Sequence, residues 1–178
     1  MNYQKLFDKY YPEDNEQRHI LLTHSRLVAD KALMIARQHP EMLLNLPFIE
    51  EAAMLHDIGI RECDAASIYC FGSNPYLCHG IIGAEMLRAE GYPEHALVCE
   101  RHTGTGLTLN YILANNLPLP HHDLVPVTLE EQLICFADKF FSKTRPEQEK
   151  SVDDALKSVA KFGDECAEKF LRWCHLFL

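Results

Sequence analysis

The sequence lacks long hydrophobic runs. No stretch approaches the roughly 20 continuous apolar residues that a membrane-spanning helix needs, although 47% of the 178 residues are hydrophobic. The first ten residues, MNYQKLFDKY, also lack the basic start, apolar run and small-residue cleavage site of a secretory signal. We therefore expect a cytoplasmic protein with no membrane partner.

Runs of basic residues are absent as well. The chain has 17 Lys and Arg against 26 Asp and Glu, a formal net charge of -9, and no segment offers the basic stripe that duplex binding requires. Because a negative protein repels polyanions at long range, we expect no nucleic-acid partner. A small phosphorylated substrate is still compatible with this charge, since a bound divalent metal can dominate the local field.

The seven cysteines do not form the paired motifs of a zinc knuckle or a redox site. No cysteine has a second one at Cys-x-x-Cys spacing, and their number is odd. This pattern predicts reduced thiols, as in a cytoplasmic protein.

The sequence does contain helical periodicity. Apolar residues recur at 3.6-residue spacing over about 16–38, which predicts a helix whose apolar stripe includes His24. Pro47 suits the first turn of a second helix, and the apolar run after it leads to the pair His56-Asp57 at the end of that helix. These polar residues therefore lie on predicted helices or at their ends.

The rest of the chain also favours helices. They are predicted from His79 to about Gly91, from about Glu94 to His102, from a cap at Thr128 through Asp138, and over about 152–176. Residues 61–78 resemble a long connection, and no run of alternating residues predicts a sheet. We therefore expect one all-α domain over 1–178, a single helical bundle.

Four residues on these elements favour metal chemistry. They are His24, His56, Asp57 and Asp138, two imidazoles and two carboxylates, a set that suits Mn, Fe, Co, Ni or Zn. A histidine in an apolar stripe is buried and must find a polar partner. Ligands held by helices of a common core can converge on one ion, so the set predicts a metal site.

Three motifs in this order resemble the HD superfamily of metal-dependent phosphohydrolases. They are Thr23-His24-Ser25, Leu55-His56-Asp57-Ile58-Gly59 and Ala137-Asp138-Lys139, and His-Asp-Ile-Gly is the most specific of them. The resemblance extends over about 19–143 and implies an HD-type helical bundle in which His24, His56, Asp57 and Asp138 hold a metal. One departure is Ile60, because many relatives have a lysine directly after His-Asp-Ile-Gly.

Two further histidines, His79 and His102, resemble the additional ligands of the HD subgroup that holds two metals. By that resemblance they would hold the second metal, and Asp57 would bridge both ions. A water shared by two such cations loses a proton near neutral pH and can attack phosphorus. The cofactor is thus expected to be one or two divalent transition metals.

The predicted function is hydrolysis of a phosphate ester in a nucleotide or another small phosphorylated metabolite. Asp57 and Lys139 are the predicted catalytic residues. Candidates for binding the phosphate oxygens are Arg18, Arg101, Lys139 and Lys143, where an arginine would act as a fork and a lysine as a point charge. The alternative for Arg18, Arg101 and Lys139 is a solvated helix position.

Two other functions stay open at this point. Certain relatives of the HD superfamily hold two irons and use oxygen to cleave a carbon-carbon or carbon-phosphorus bond. A non-catalytic sensor or ligand-binding module could also keep such a pocket, because a fold does not determine function. The sequence leaves the oligomeric state open too.

Overall fold

The computed structural model describes residues 1–146 and 148–178, and within them the chain is mostly helical. The α-helices are α1 (Tyr3–Tyr10), α2 (Glu16–Gln38), α3 (Leu46–Leu55), α4 (His79–Ala89), α5 (Pro93–Arg101), α6 (Leu109–Ala114), α7 (Leu129–Asp138), α8 (Val152–Val159) and α9 (Asp164–Phe177). Short 3-10 turns connect several of them. The predicted all-α class is confirmed.

The helix that lies in the middle of the bundle is α3. It packs against α1, α2, α5 and α7, and its second half, Ala52 to Leu55, is buried. A helix that is apolar on every side is stable only when it is surrounded by others. The residues directly after α3 therefore enter the interior of the protein.

Local capping sets where two of the motif-bearing helices begin. The side chain of Asn15 accepts a hydrogen bond from the backbone N–H of Arg18 at the start of α2. Thr128 and Glu131 form a reciprocal capping box at the start of α7. These caps place α2 and α7 close to the predicted bounds.

A small sheet occupies the segment between α3 and α4, where the sequence predicted only a connection. Its strands are β1 (Cys63–Ala65), β2 (Cys70–Phe71) and β3 (Asn74–Pro75), in the order β2-β1-β3. Strand β1 pairs antiparallel with β2 and parallel with β3. The expectation of no sheet was wrong because strands of two or three residues are too short to show alternation.

The C-terminal helix predicted over about 152–176 is also interrupted. Helices α8 and α9 are separated by a 3-10 turn and by Gly163, whose φ is +101°. Only glycine adopts this backbone region readily, so the helix cannot continue through it. Helices α1 and α6 were not predicted.

The remaining general features concern membranes and thiols. Within 1–146 and 148–178, we find no helix with both the length and the apolar character of a bilayer span. All seven cysteines are free. Burial raises the pKa of the Cys135 thiol to about 12, so this thiol is protonated at neutral pH.

Candidate metal centre

The six predicted ligands come together in the interior of the bundle. His24 lies within α2, His56 and Asp57 directly follow α3, His79 opens α4, His102 follows α5, and Asp138 ends α7. All are buried except Asp138, whose side chain is 13% exposed. Five helices therefore contribute to one polar cluster in an otherwise apolar core.

The first group of ligands combines two histidines and two aspartates. The Nε2 of His24 lies 3.0 Å from the Oδ1 of Asp138 and 3.2 Å from the Oδ2 of Asp57. The Nε2 of His56 lies 2.9 Å from the same Oδ2 of Asp57 and 3.5 Å from the Oδ1 of Asp138. These four atoms lie within 4.8 Å of one another, so a single ion could contact them all.

The second group uses the other oxygen of Asp57. Its Oδ1 lies 3.3 Å from the Nε2 of His79 and 3.5 Å from the Nε2 of His102. The two histidine nitrogens are 2.9 Å apart. Asp57 thus presents one oxygen to each group.

Backbone carbonyls fix the orientation of three of the four imidazoles. In each case the ring Nδ1 lies 2.6–2.7 Å from the carbonyl oxygen three residues earlier in the chain, which identifies Nδ1–H as the donor. The pairs are His56 with Ala53, His79 with Tyr76, and His102 with Cys99. When such a ring is neutral, its lone pair is on Nε2 and points into the cluster, the arrangement seen in metal-bound histidines.

Unpartnered atoms in the cluster support metal binding. Among the described residues, the Nε2 of His56 and the Oδ1 of Asp57 are buried without a well-formed hydrogen bond. The Nε2 atoms of His79 and His102 face each other, although both rings donate from Nδ1. Leaving such atoms unpaired costs about 1–3 kcal/mol each, more where they are charged. One cation in each group would satisfy them, so the donor set fits two ions.

The electrostatics of the histidines differ between the groups. Burial lowers the pKa of His102 to about 4 and outweighs the opposing effect of Asp57, so this imidazole is neutral at pH 7. Burial also opposes charge on His56, but the carboxylates of Asp57 and Asp138 outweigh it and raise the pKa of His56 to about 9. Because a metal binds the neutral ring, binding at His56 releases a proton.

Two lysines lie at the cluster. The Nζ of Lys143 is 2.6 Å from the Oδ2 of Asp57. The Nζ of Lys139 is 2.6 Å from the Oδ2 of Asp138 and donates a hydrogen bond to the carbonyl oxygen of His102 at 2.8 Å. Burial opposes charge on Lys143, but Asp57 outweighs it and raises the pKa of this ammonium. Lys139 connects a ligand of the first group to the backbone of a ligand of the second.

The two predicted arginines lie elsewhere. Arg18 pairs with Asp8 at 2.7 Å and donates to the carbonyl oxygen of Tyr11, which ties α1 to α2. Arg101 pairs with Glu131 at 3.0 Å, between α5 and α7. Neither lines the cavity beside the ligands, which gives no support to a phosphate-binding role for either arginine.

Replacing Arg18 with Met should affect stability and leave substrate binding unchanged. Loss of its charged hydrogen bonds to the end of α1 should lower the free energy of unfolding by about 1–2 kcal/mol, measured by urea denaturation. The KM for a phosphate ester should not change. The exposed Arg37 on the same helix is the control, since Arg37→Met should change stability by less than about 0.5 kcal/mol. A raised KM with unchanged stability would place Arg18 at the substrate instead.

A cavity of about 520 Å³ opens beside the cluster, a volume typical of small-molecule sites. Its lining includes the ligands His24, His79, His102 and Asp138 together with Lys139 and Lys143. Residues of the C-terminal segment complete it, namely Lys150, Ser158, Val159 and Phe162. Sequence reasoning missed these four, because nothing in their local pattern distinguishes them from residues outside a site.

The geometry agrees with what a comparison with known families finds. The profile of the HD domain matches residues 21–142, more than half of the chain and all six predicted ligands. The chain belongs to the HD-domain family.

Curated relatives of this HD-domain chain come from archaea. An uncharacterised protein of Methanocaldococcus jannaschii is 30% identical, over 79% of this chain and 76% of its own length. Two proteins named tRNA (cytidine(56)-2'-O)-methyltransferase, from Thermoplasma volcanium and Picrophilus torridus, are 27% and 28% identical. The matches cover 79% and 93% of this chain but only 40% and 49% of those proteins. More than half of each methyltransferase therefore lies outside the match.

A solved structure shows the same fold. The HD domain of the L. monocytogenes phosphodiesterase PgpH superposes with a TM-score of 0.55, covering 95% of this chain and 93% of that one at 18% identity. At this identity the likeness concerns the fold alone. It confirms the predicted HD-type helical bundle.

Proposed function

We propose that this HD-domain chain is a metal-dependent phosphohydrolase that uses two divalent transition metals to hydrolyse a phosphate ester in a nucleotide or another small metabolite. The observation that carries the proposal is the position of Asp57, whose two oxygens face two separate groups of ligands. If two ions bind, Asp57 would be a ligand common to both, as a two-metal hydrolytic site requires.

The residues of the chain have distinct parts in this proposal. The histidines, together with Asp57 and Asp138, would hold the ions, which when bound lower the pKa of a shared water and offset charge on the phosphate. Lys143 lines the cavity beside Asp57, which supports a role for it in binding a phosphate oxygen. Both acceptors of Lys139 belong to ligand residues, which supports a positioning role for it.

The size of the cavity and the charge of the chain support a small substrate. A volume of about 520 Å³ accommodates a compact metabolite, and a net charge of -9 disfavours a nucleic-acid polyanion. Apolar residues, Ile68, Phe141 and Val159, line part of the wall. They limit the access of bulk water to the reacting phosphate.

Metal counting on the wild type and on His79→Ala tests the proposal. Elemental analysis of anaerobically purified protein should give about two ions per wild-type chain and about one in His79→Ala, because only the second group loses a ligand. Release of phosphate from p-nitrophenyl phosphate and from nucleotides should fall by more than about 100-fold. Losing a residue that hydrogen-bonds to a metal ligand already costs up to roughly 100-fold, and in this proposal His79 is itself a ligand.

His95→Ala is the matched control for this experiment. His95 is another buried histidine, on α5, but its Nε2 lies 3.3 Å from Glu51 and it belongs to neither group. This variant should keep two ions and full turnover. One ion in the wild type, with activity unaffected by His79→Ala, would reduce the centre to a mononuclear one. Bound iron with oxygen consumption and no phosphate release would favour an oxygenase, and no metal with no turnover would favour a binding module.

A further inference from the structure

Positive charge is concentrated on the lining of the cavity. Lys139, Lys143 and Lys150 all line it, whereas Asp138 is the single acidic residue among the described residues of that lining. This composition contrasts with the net charge of -9 for the whole chain. The cavity is therefore suited to an anionic ligand.

The three ammonium groups differ in their partners. Lys139 pairs with Asp138 and Lys143 pairs with Asp57, each at 2.6 Å. The Nζ of Lys150 instead donates to the backbone carbonyl of Lys139 at 3.2 Å, and no carboxylate in 1–146 or 148–178 lies within ion-pair distance of it. Of the three lysines that line the cavity, Lys150 is the one that the described residues leave without a counter-ion.

The surroundings of Lys150 make this lone charge costly. The residue is half-buried, and burial lowers the pKa of its ammonium against the attraction of Asp138. The nearby ammonium of Lys139 lowers the pKa further. An anion beside Lys150 would stabilise its charged form and so offset the cost of partial burial.

Hydroxyl and apolar groups line the same cavity as this lysine. Thr144 contributes a hydroxyl, whereas the hydroxyl of Ser158 donates to the carbonyl oxygen of Ala155. Phe141, Val159 and Phe162 are apolar. The ammonium of Lys150 suits phosphate oxygens, and the aromatic and aliphatic surface suits the organic part of a substrate.

We propose that Lys150 forms a second anion subsite, so that the substrate carries one phosphate at the metal centre and a second phosphate at Lys150. This inference rests on the proposed function and narrows its substrate class to doubly phosphorylated small molecules. The second phosphate can be a separate ester or part of an anhydride, and the two share the chemistry that Lys150 would recognise.

Equilibrium binding of three matched nucleotides tests the subsite. Adenosine 5'-monophosphate, adenosine 5'-diphosphate and adenosine 3',5'-bisphosphate differ only in the second phosphate, and their dissociation constants for the metal-loaded protein can be measured by calorimetry. Wild type should bind at least one doubly phosphorylated form about 10-fold or more tightly than the monophosphate, in line with a charged hydrogen bond. Lys150→Met should lose this gain and bind the monophosphate as wild type does.

Two control variants separate the subsite from general electrostatics. Lys161 is a nearby exposed lysine that does not line the cavity. Lys161→Met should therefore still bind a doubly phosphorylated nucleotide more tightly than the monophosphate, as wild type does. Lys150→Arg retains the charge and should also keep most of this gain. A gain for the bisphosphate alone identifies a second ester, and a gain for the diphosphate alone identifies an anhydride.

Several results would overturn the inference. They are equal affinity of wild type for all three nucleotides, no binding of any of them, a gain that persists in Lys150→Met, or an equal loss in Lys161→Met. Turnover is measured separately on the same samples. If the gain depends on Lys150 but no phosphate is released, the anion subsite stands and the proposed hydrolysis fails.

Discussion

Asp57→Asn should give a folded protein that binds little metal and releases no measurable phosphate. The amide preserves the shape of the side chain but removes its negative charge and replaces one ligand oxygen with an NH₂ group, which does not bind metals. Because Asp57 belongs to both ligand groups, both ions should be lost, whereas His79→Ala loses one. Elemental analysis and phosphate release measure the two effects.

The control for this variant is Asp64→Asn. Asp64 is exposed, lies in β1 only seven residues further along the chain, and belongs to neither ligand group. It should retain two ions and normal activity, and circular dichroism should show that both variants keep their helical content. Two ions per chain in Asp57→Asn would contradict a bridging role for this carboxylate.

Gly59→Ala should be one of the most destabilising single substitutions in the protein. A Cβ at Gly59 would overlap the backbone carbonyl oxygen of His79 and the backbone nitrogen of Gly83, and would lie 3.0 Å from the Cα of Gly83. Backbone atoms cannot rotate away as a flexible side chain can, so α4 must shift as a unit. We expect a loss of at least about 3 kcal/mol in the free energy of unfolding, measured in urea.

The same substitution should weaken the second ligand group, because His79 opens the helix that is displaced. Gly91→Ala is the matched control, since nothing lies within 4 Å of the added Cβ and only the φ of +82° opposes the change. Left-handed strain of this kind costs about 1–2 kcal/mol. Equal losses in the two variants, or two ions per chain in Gly59→Ala, would show that the close backbone approach is not what matters at Gly59.

The sequence predicted the long, regular parts of the fold well. The helix expected over about 16–38 is α2, Glu16–Gln38, because a capping residue and a long apolar periodicity define it independently. The convergence of the six ligands was also expected, since the resemblance to the HD superfamily supplies the spatial arrangement that spacing alone does not contain. That these residues bind metal is still a prediction.

Features that depend on tertiary contacts could not be predicted in this way. Arg18 and Arg101 are basic residues on helices that carry predicted ligands, but their side chains form ion pairs with Asp8 and Glu131. The sequence pattern alone does not reveal such partners. Gly163 interrupts a segment whose charged and apolar residues otherwise indicate one continuous helix. Lys150 enters the cavity only because the chain folds back after α7.

The hydrogen bonds from ring Nδ1 to backbone carbonyls determine which sequence changes the centre tolerates. A carbonyl is present whatever side chain occupies positions 53, 76 or 99, so a substitution there leaves the acceptor of each ring in place. At the fully buried Ala53 and Cys99, such a change is limited by core packing and not by the loss of a ligand contact. Insertion or deletion of one residue within any of these three-residue spacings would instead rotate the ring by roughly 100–120° around a helical turn. The orientation of the ligands thus depends on chain length more than on the side chains of the acceptor residues.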